Sequence, residues 1–188
     1  LGMNDDQLYE LGIAALLHDV GNVFLPPEIL SRPGTLTDEE FDMIKKHVDT
    51  GFQYLRDGHD LSVEACMGAM QHHENYDGSG YPNNLKRKQI SVFGRIISIT
   101  DVYDALISRR PYRQAMYPKQ ALEIIQQKAD RKFDPDIVEI MERLIAPYPA
   151  GISVNISAGE SCIVLSNNPK YLQRPQLISV GAMGSIKY

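Results

Sequence analysis

His72-His73-Glu74-Asn75-Tyr76-Asp77-Gly78-Ser79-Gly80-Tyr81-Pro82, with His18-Asp19 well upstream of it, is the stretch on which the fold of this chain turns. Imidazole and carboxylate side chains in adjacent pairs suit Zn, Mn, Fe, Co or Ni. Without a thiolate among them they point to a hydrolytic or oxygen-handling centre rather than a structural zinc. His47 and Asp101 complete the candidate set. Val63, Cys66, Met67 and Met70 recur at helical spacing up to the double histidine, and the turn formers from Asp77 to Pro82 follow it, so the pair is expected at a helix end beside a loop.

Working outward, Leu8, Leu11 and Ala15, with Ile13, Leu16, Leu17 and Val20, predict a broadly apolar helix that ends near His18-Asp19 and Gly21. Pro26-Pro27 and Pro33-Gly34 mark a connecting loop. Thr37 with Glu40 then forms a capping box ahead of Phe41, Ile44, Val48 and Leu55, which predicts a second helix carrying His47. Phe93, Ile96, Ile97, Val102, Ala105 and Leu106 predict a strongly buried helix on which Ile97, Asp101, Asp104 and Ser108 share a face. Pro118 and Asp134-Pro135 open two further helices, the last lined by Ile137, Ile140, Met141 and Leu144. From Gly151 the pattern changes. Ile152, Val154 and Ile156 alternate with polar residues, and short apolar runs at 162–165 and 177–180 predict a β-meander of about 30 residues. The expected fold is mainly α, a helical bundle over residues 1–147 with a small β-rich extension over 148–188.

Composition bounds the rest. The chain has 188 residues, 43% of them hydrophobic, and a net charge of -5, which allows a sizeable core and argues against general nucleic-acid binding. No apolar run approaches the length of a membrane span. Cys66 and Cys162 lie far apart with no secretory signal, so a reduced, cytoplasmic setting is expected and both read as small hydrophobes.

Each motif also has a plain structural alternative. Alone, His18-Asp19 reads best as a locally hydrogen-bonded pair; further His and Asp residues on separate helices favour a metal centre. Asp101 is either a ligand or a salt-bridge partner of Arg95 or Arg113. Glu74 either orients a ligand histidine or is a surface acid. Arg109, Arg110 and Arg113 form either a solvated helix end or a phosphate clamp, and His59 lies in a polar loop. Metals held by His and Asp can activate water and polarise a phosphodiester without a serine or cysteine nucleophile. No phosphate-cradling glycine loop opens a helix.

His18-Asp19-Val20-Gly21, His47 to Gly51, the 72–82 stretch and Asp101-Val102-Tyr103-Asp104-Ala105-Leu106 together resemble the HD-GYP family, a branch of the HD-domain phosphohydrolases, over roughly residues 8–145. The resemblance implies a helical metalloenzyme with two or three divalent ions, iron or manganese first and nickel, cobalt or zinc next. It implies hydrolysis of the bacterial messenger cyclic di-GMP to pGpG or GMP. It makes His18, Asp19, His47, His72, His73 and Asp101 metal ligands, Asp19 a bridge between metals, and Arg110 and Arg113 phosphate contacts. Gly78, Gly80, Tyr81 and Pro82 become a loop beside the substrate that also docks diguanylate cyclase (GGDEF) domains. Asp104 is a supporting acid, and an upstream sensory or receiver domain is implied as a partner.

Two departures set the expectations apart from the family. Asn22 stands where the family has a lysine, which removes a cation at the phosphate; loss of one such contact is worth roughly 10²-fold to 10³-fold in turnover. Asp5, Asp6 and Glu10 do not match the ligand motif that the family places upstream, so the chain is expected to be a fragment or to lack its first helix. A non-catalytic module that binds cyclic di-GMP or a partner domain, and an enzyme for another cyclic dinucleotide, are the competing readings.

Overall fold

The computed structural model describes residues 1–32, 34–58, 61–109, 114–157, 159–180 and 186–187. The chain is mainly helical with a small antiparallel sheet, as expected. It divides into two compact units, Leu1–Asp101 with Lys128–Asp134, and Val102–Gln127 with Pro135–Tyr188.

In the first unit, α1 (Asp5–Leu17) opens on an Asn4–Gln7 capping box and ends at His18. A 3-10 turn (Val20–Phe24) and the short α2 (Pro27–Leu30) lead to α3 (Asp38–Lys45), capped by Thr37 and Glu40 as predicted. The predicted second helix is in fact two, because α4 (His47–Gly58) starts afresh after Lys46. The physical reason lies in His47, whose Nδ1 sits 2.6 Å from the Ile44 carbonyl. A continuous helix would offer that carbonyl to the N–H of Val48. Next comes α5 (Val63–Gln71), with Ser62 accepting from the Ala65 N–H, and it ends at His72. The long α6 (Val92–Ile107) contributes its residues up to Asp101 to this unit.

Helix α5 lies at the centre, packed by α1 and α4. Ala14, Ala65, Phe93 and Ile97 form one buried cluster and Leu55, Cys66 and Ala69 another. A Cβ on Gly68 would come within 2.8 Å of the Phe93 Cβ, so this glycine sets how closely α5 and α6 approach. Burial of side chains such as Phe93 and Leu55 is worth roughly 1.5–3 kcal/mol each.

In the second unit, α7 (Pro118–Gln127) and α8 (Pro135–Leu144) pack together, burying Ala121, Leu122 and Ile125 from one and Ile137, Val138 and Met141 from the other. Strands β1 (Ser153–Asn155), β2 (Ser161–Ser166), β3 (Gln176–Val180) and β4 (Ile186–Lys187) pair antiparallel in sequence order, which is a meander. Along β2, Cys162 and Val164 are buried while Ile163 and Leu165 face out, the alternation a one-sided sheet requires.

Candidate metal centre

Three helix ends bring the histidines together. His18 caps α1, His47 opens α4 and His72 caps α5. In each ring Nδ1 lies within hydrogen-bond reach of the carbonyl three residues back: 2.7 Å to Ala15, 2.6 Å to Ile44 and 2.6 Å to Ala69. A carbonyl only accepts, so Nδ1 is the donor, and in the neutral ring the lone pair is fixed on Nε2. Those Nε2 atoms converge on Asp19. His47 Nε2 is 3.2 Å and His72 Nε2 3.7 Å from its Oδ1, while His18 Nε2 is 3.6 Å from its Oδ2.

Asp19 can face them because α1 stops at His18: its backbone, at φ -100 and ψ 11, leaves the helix, so adjacent side chains reach one place. Gly21 then lets the turn press against α4. A Cβ there would lie 1.9 Å from the His47 carbonyl oxygen and 2.8 Å from the Gly51 nitrogen. The glycines at 21 and 51 thus bring Asp19 and His47 into range.

Asp19, His47, His72 and His73 offer ligand atoms all within 4.8 Å of one another, a group that could hold a metal ion. Nε2 of His47 and of His72 is buried without a hydrogen-bond partner, although Asp19 is near; a lone pair and a carboxylate are both acceptors. Buried lone pairs left unmatched are costly, and aimed at a carboxylate they are the donor set that divalent cations prefer. Beside this group, Asp101 Oδ1 lies 4.0 Å from His18 Nε2. Arg95, the other partner weighed for Asp101, pairs with the buried Asp134 instead.

Charge in the cluster is strongly shaped. Burial disfavours the Asp19 carboxylate, but His47 and His72 against it and the charges of His18 and His72 outweigh that and hold its carboxyl far below the usual range. Burial likewise disfavours the His47 cation, yet Asp19 and the Ile44 carbonyl win and raise its pKa. For His73, burial and the neighbouring His72 and His47 act together and push it down to about 2, so that ring is neutral and free to coordinate.

The loop after the double histidine is built around Glu74. Fully buried, its carboxylate accepts from the Asn83 N–H at 2.7 Å and the Leu85 N–H at 3.0 Å, a role that sequence left undecided. Gly78 takes φ 86, and Gly80 lies so close to the chain behind it that a Cβ would meet the Asn75 nitrogen at 2.2 Å. The Tyr81 N–H donates to the His73 carbonyl at 3.2 Å, and the peptide bond to Pro82 is cis. The Tyr81 ring sits 4.8 Å from the His73 ring. A cleft of about 560 Å³ opens there, lined by His73, Gly80, Tyr81, Pro82, Phe41 and three lysines, Lys45, Lys46 and Lys132. Phe41 and these lysines carried no recognisable sequence signal, since nothing local ties α3 or residue 132 to the double histidine.

Asn22 lies half-buried in the 3-10 turn, its N–H on the Asp19 carbonyl, and is not among the residues lining the cleft. Asp104, in the second unit, is exposed and accepts from the Ser108 hydroxyl at 3.2 Å. Arg110, Arg113 and His59 lie outside the described residues.

Residues 1–137 match the family model described as HD domain. A cyclic di-GMP phosphodiesterase of Pseudomonas aeruginosa is 35% identical over 179 residues, 94% of this chain and 42% of that protein. A 3'3'-cGAMP-specific phosphodiesterase of Vibrio cholerae is 38% identical over 141 residues, 74% of this chain and 27% of that protein. Among solved structures, an HDG"Y"P protein from Bdellovibrio bacteriovorus superposes with a TM-score of 0.60 at 22% identity, covering 76% of this chain and 45% of that one, a likeness of fold. The chain spans less than half the length of these relatives. With the matched model covering all of the helix ends that carry the histidines, the chain belongs to the HD domain family, and its double histidine and Gly80-Tyr81-Pro82 loop resemble those of the HD-GYP branch.

Proposed function

We propose that this chain is the catalytic part of a metal-dependent phosphodiesterase that hydrolyses cyclic di-GMP to pGpG or GMP. The observation that carries the proposal is the pair of buried, unpartnered Nε2 atoms of His47 and His72 aimed at Asp19 beside a basic, aromatic-lined cleft. His47, His72, His73 and Asp19 would hold one divalent ion, and His18, Asp101 and the second oxygen of Asp19 another; iron or manganese suits this nitrogen and oxygen set, with two or three ions in all. Such ions supply a metal-activated water and polarisation of the phosphoryl oxygen.

The chain's own residues do the remaining work. Nδ1 bonds to backbone hold the imidazoles in the coordinating tautomer. Tyr81 offers a ring face and a hydroxyl to a guanine or phosphate, and burial keeps that phenol protonated well above neutral pH. Arg110 and Arg113 are assigned here as phosphate contacts, and Asp104 as a supporting acid, on resemblance alone. The relatives' names support the substrate class, and the cyclic GMP-AMP name among them makes that nucleotide the first alternative substrate. Docking of a GGDEF domain on the 78–82 loop, an upstream sensory or receiver domain and a cytoplasmic location belong to the same proposal. Among the described residues no helix is long and apolar enough to cross a membrane, and Cys66 and Cys162 are free and buried.

The test is chromatography of cyclic di-GMP incubated with protein purified without oxygen and loaded with ferrous iron or manganese. Metal-dependent pGpG or GMP is expected. Intact cyclic di-GMP at measured full metal occupancy would refute the proposal, and turnover of cyclic GMP-AMP alone would change its substrate.

A further inference from the structure

A cyclic dinucleotide brings two phosphodiester charges into a protein of net charge -5, so the cleft beside His73 needs a cation placed in advance. Asn22 cannot supply one, being neutral. Three lysines line the cleft. Lys45 is already neutralised by Asp42 at 2.7 Å and lies over the Phe41 ring at 4.5 Å. Lys46 is exposed, on the same rim as the acid Asp49.

Lys132 differs from both. It is half-buried and makes no ion pair among the described residues. Its backbone is held at both polar groups, the N–H on the Lys128 carbonyl at 2.9 Å and the carbonyl accepting from the Tyr76 N–H at 3.1 Å, while the neighbouring Arg131 carbonyl accepts from Asp77 at 2.8 Å. These bonds tie residue 132 to the start of the loop that presents Tyr81. The side chain runs over the buried Phe133 ring, with Nζ 5.8 Å from its centroid. Its charge is felt by His73 and Asp101, and burial together with Lys128 lowers its pKa. An unpaired, partly desolvated cation on a fixed backbone is free to take an anion that enters the cleft.

We propose that Lys132 is the cation that contacts the substrate's phosphodiester in this cleft. The inference rests on the phosphodiesterase reading above. It assigns the contact to the loop carrying Phe133 rather than to the turn after Asp19.

Two variants test it, Lys132→Met and Lys132→Arg, each loaded with manganese and assayed with cyclic di-GMP and with the plain phosphodiester bis(p-nitrophenyl) phosphate. For Lys132→Met, kcat/KM is expected to fall by about 10- to 100-fold on both substrates, mainly through KM, the size of one charge-assisted hydrogen bond. Metal occupancy and melting temperature should hold, and Lys132→Arg should recover most of the loss. A KM unchanged by Lys132→Met overturns the proposal and leaves the phosphodiesterase reading standing. Equal damage in both variants, or loss of metal with KM, also overturns it by showing a structural role. If the parent protein cleaves bis(p-nitrophenyl) phosphate but not cyclic di-GMP, only the substrate fails, and Lys132 is judged on the simple ester. Cleavage of neither overturns both.

Discussion

Gly21→Ala is the substitution whose consequence follows most directly from geometry. Built on the native backbone, the new Cβ would lie 1.9 Å from the His47 carbonyl oxygen, 2.7 Å from its carbonyl carbon and 2.8 Å from the Gly51 nitrogen. All are backbone atoms, so no rotamer can yield. A carbon meets a carbonyl oxygen comfortably at about 3.3 Å, and the 3-10 turn must therefore retreat from α4 by on the order of 1.4 Å. Asp19 precedes that turn immediately, and its 3.2 Å approach to His47 Nε2 opens with it. Strain of this kind costs about 1–3 kcal/mol, or roughly 2–12 °C in melting temperature for a chain of this size. Disturbed ligand orientation lowers metal affinity by about 10- to 100-fold. Manganese titration read by elemental analysis, alongside melting followed by circular dichroism, measures both. Gly12→Ala is the control, since its Cβ meets nothing within 4 Å inside α1, and it should leave metal affinity alone and raise stability by about 0.4–1 kcal/mol. Parental metal affinity and melting in Gly21→Ala would refute the claim that backbone contact at Gly21 sets the Asp19–His47 distance.

Other outcomes follow from single residues. Glu74→Gln replaces one acceptor oxygen with a donor facing a backbone N–H, so it should cost about 1–3 kcal/mol in urea unfolding while metal content holds; metal loss without destabilisation would show that Glu74 orients a ligand instead. Asp134→Ala strips the partner from Arg95, which is itself only 12% exposed, and should cost about 3–5 kcal/mol, read as a lower urea midpoint; a loss below about 1 kcal/mol would count against a buried pair. In the metal-free protein His73 has its pKa depressed to about 2, so its contribution to stability is complete above the ordinary histidine value near 6.5 and is lost as pH falls toward 2. His73→Gln should therefore flatten the stability profile measured between about pH 6.5 and 4, and an unchanged slope there would contradict a buried neutral ring.

What was legible in the sequence was whatever local spacing controls. The capping box at Thr37, the end of α1 near His18, the double histidine at the end of α5 and the alternation in β2 each depend on residues a few positions apart. The break between α3 and α4 was not legible, because Phe41, Ile44, Val48 and Leu55 keep a helical period across it while His47 takes the Ile44 carbonyl. Nor was the work of Glu74 legible, since its partners at Asn83 and Leu85 are defined only once the loop folds back. Lys132 is the extreme case: it is held beside the cleft by the hydrogen bond its carbonyl accepts from the Tyr76 N–H across a long separation in sequence, and no periodicity encodes that.

The repeated use of helix ends has one physical cause. The last turn of any helix leaves carbonyls without intrahelical partners and carries the negative end of the helix dipole. Ala15, Ile44 and Ala69 are such carbonyls, at the ends of α1, α3 and α5, and each receives the Nδ1–H of a histidine three residues later. One hydrogen bond thereby finishes a helix and forces the ring's lone pair onto Nε2, pointing away from the helix that holds it. A histidine in mid-helix would find its i−3 carbonyl already engaged and would have no such constraint on its tautomer. Where three of these ends meet, their Nε2 atoms have nowhere to look but toward one another, and Asp19, freed from α1 by the same helix end, adds its carboxylate to a donor set that a cation would satisfy. The metal-binding arrangement is therefore a consequence of how the helices stop.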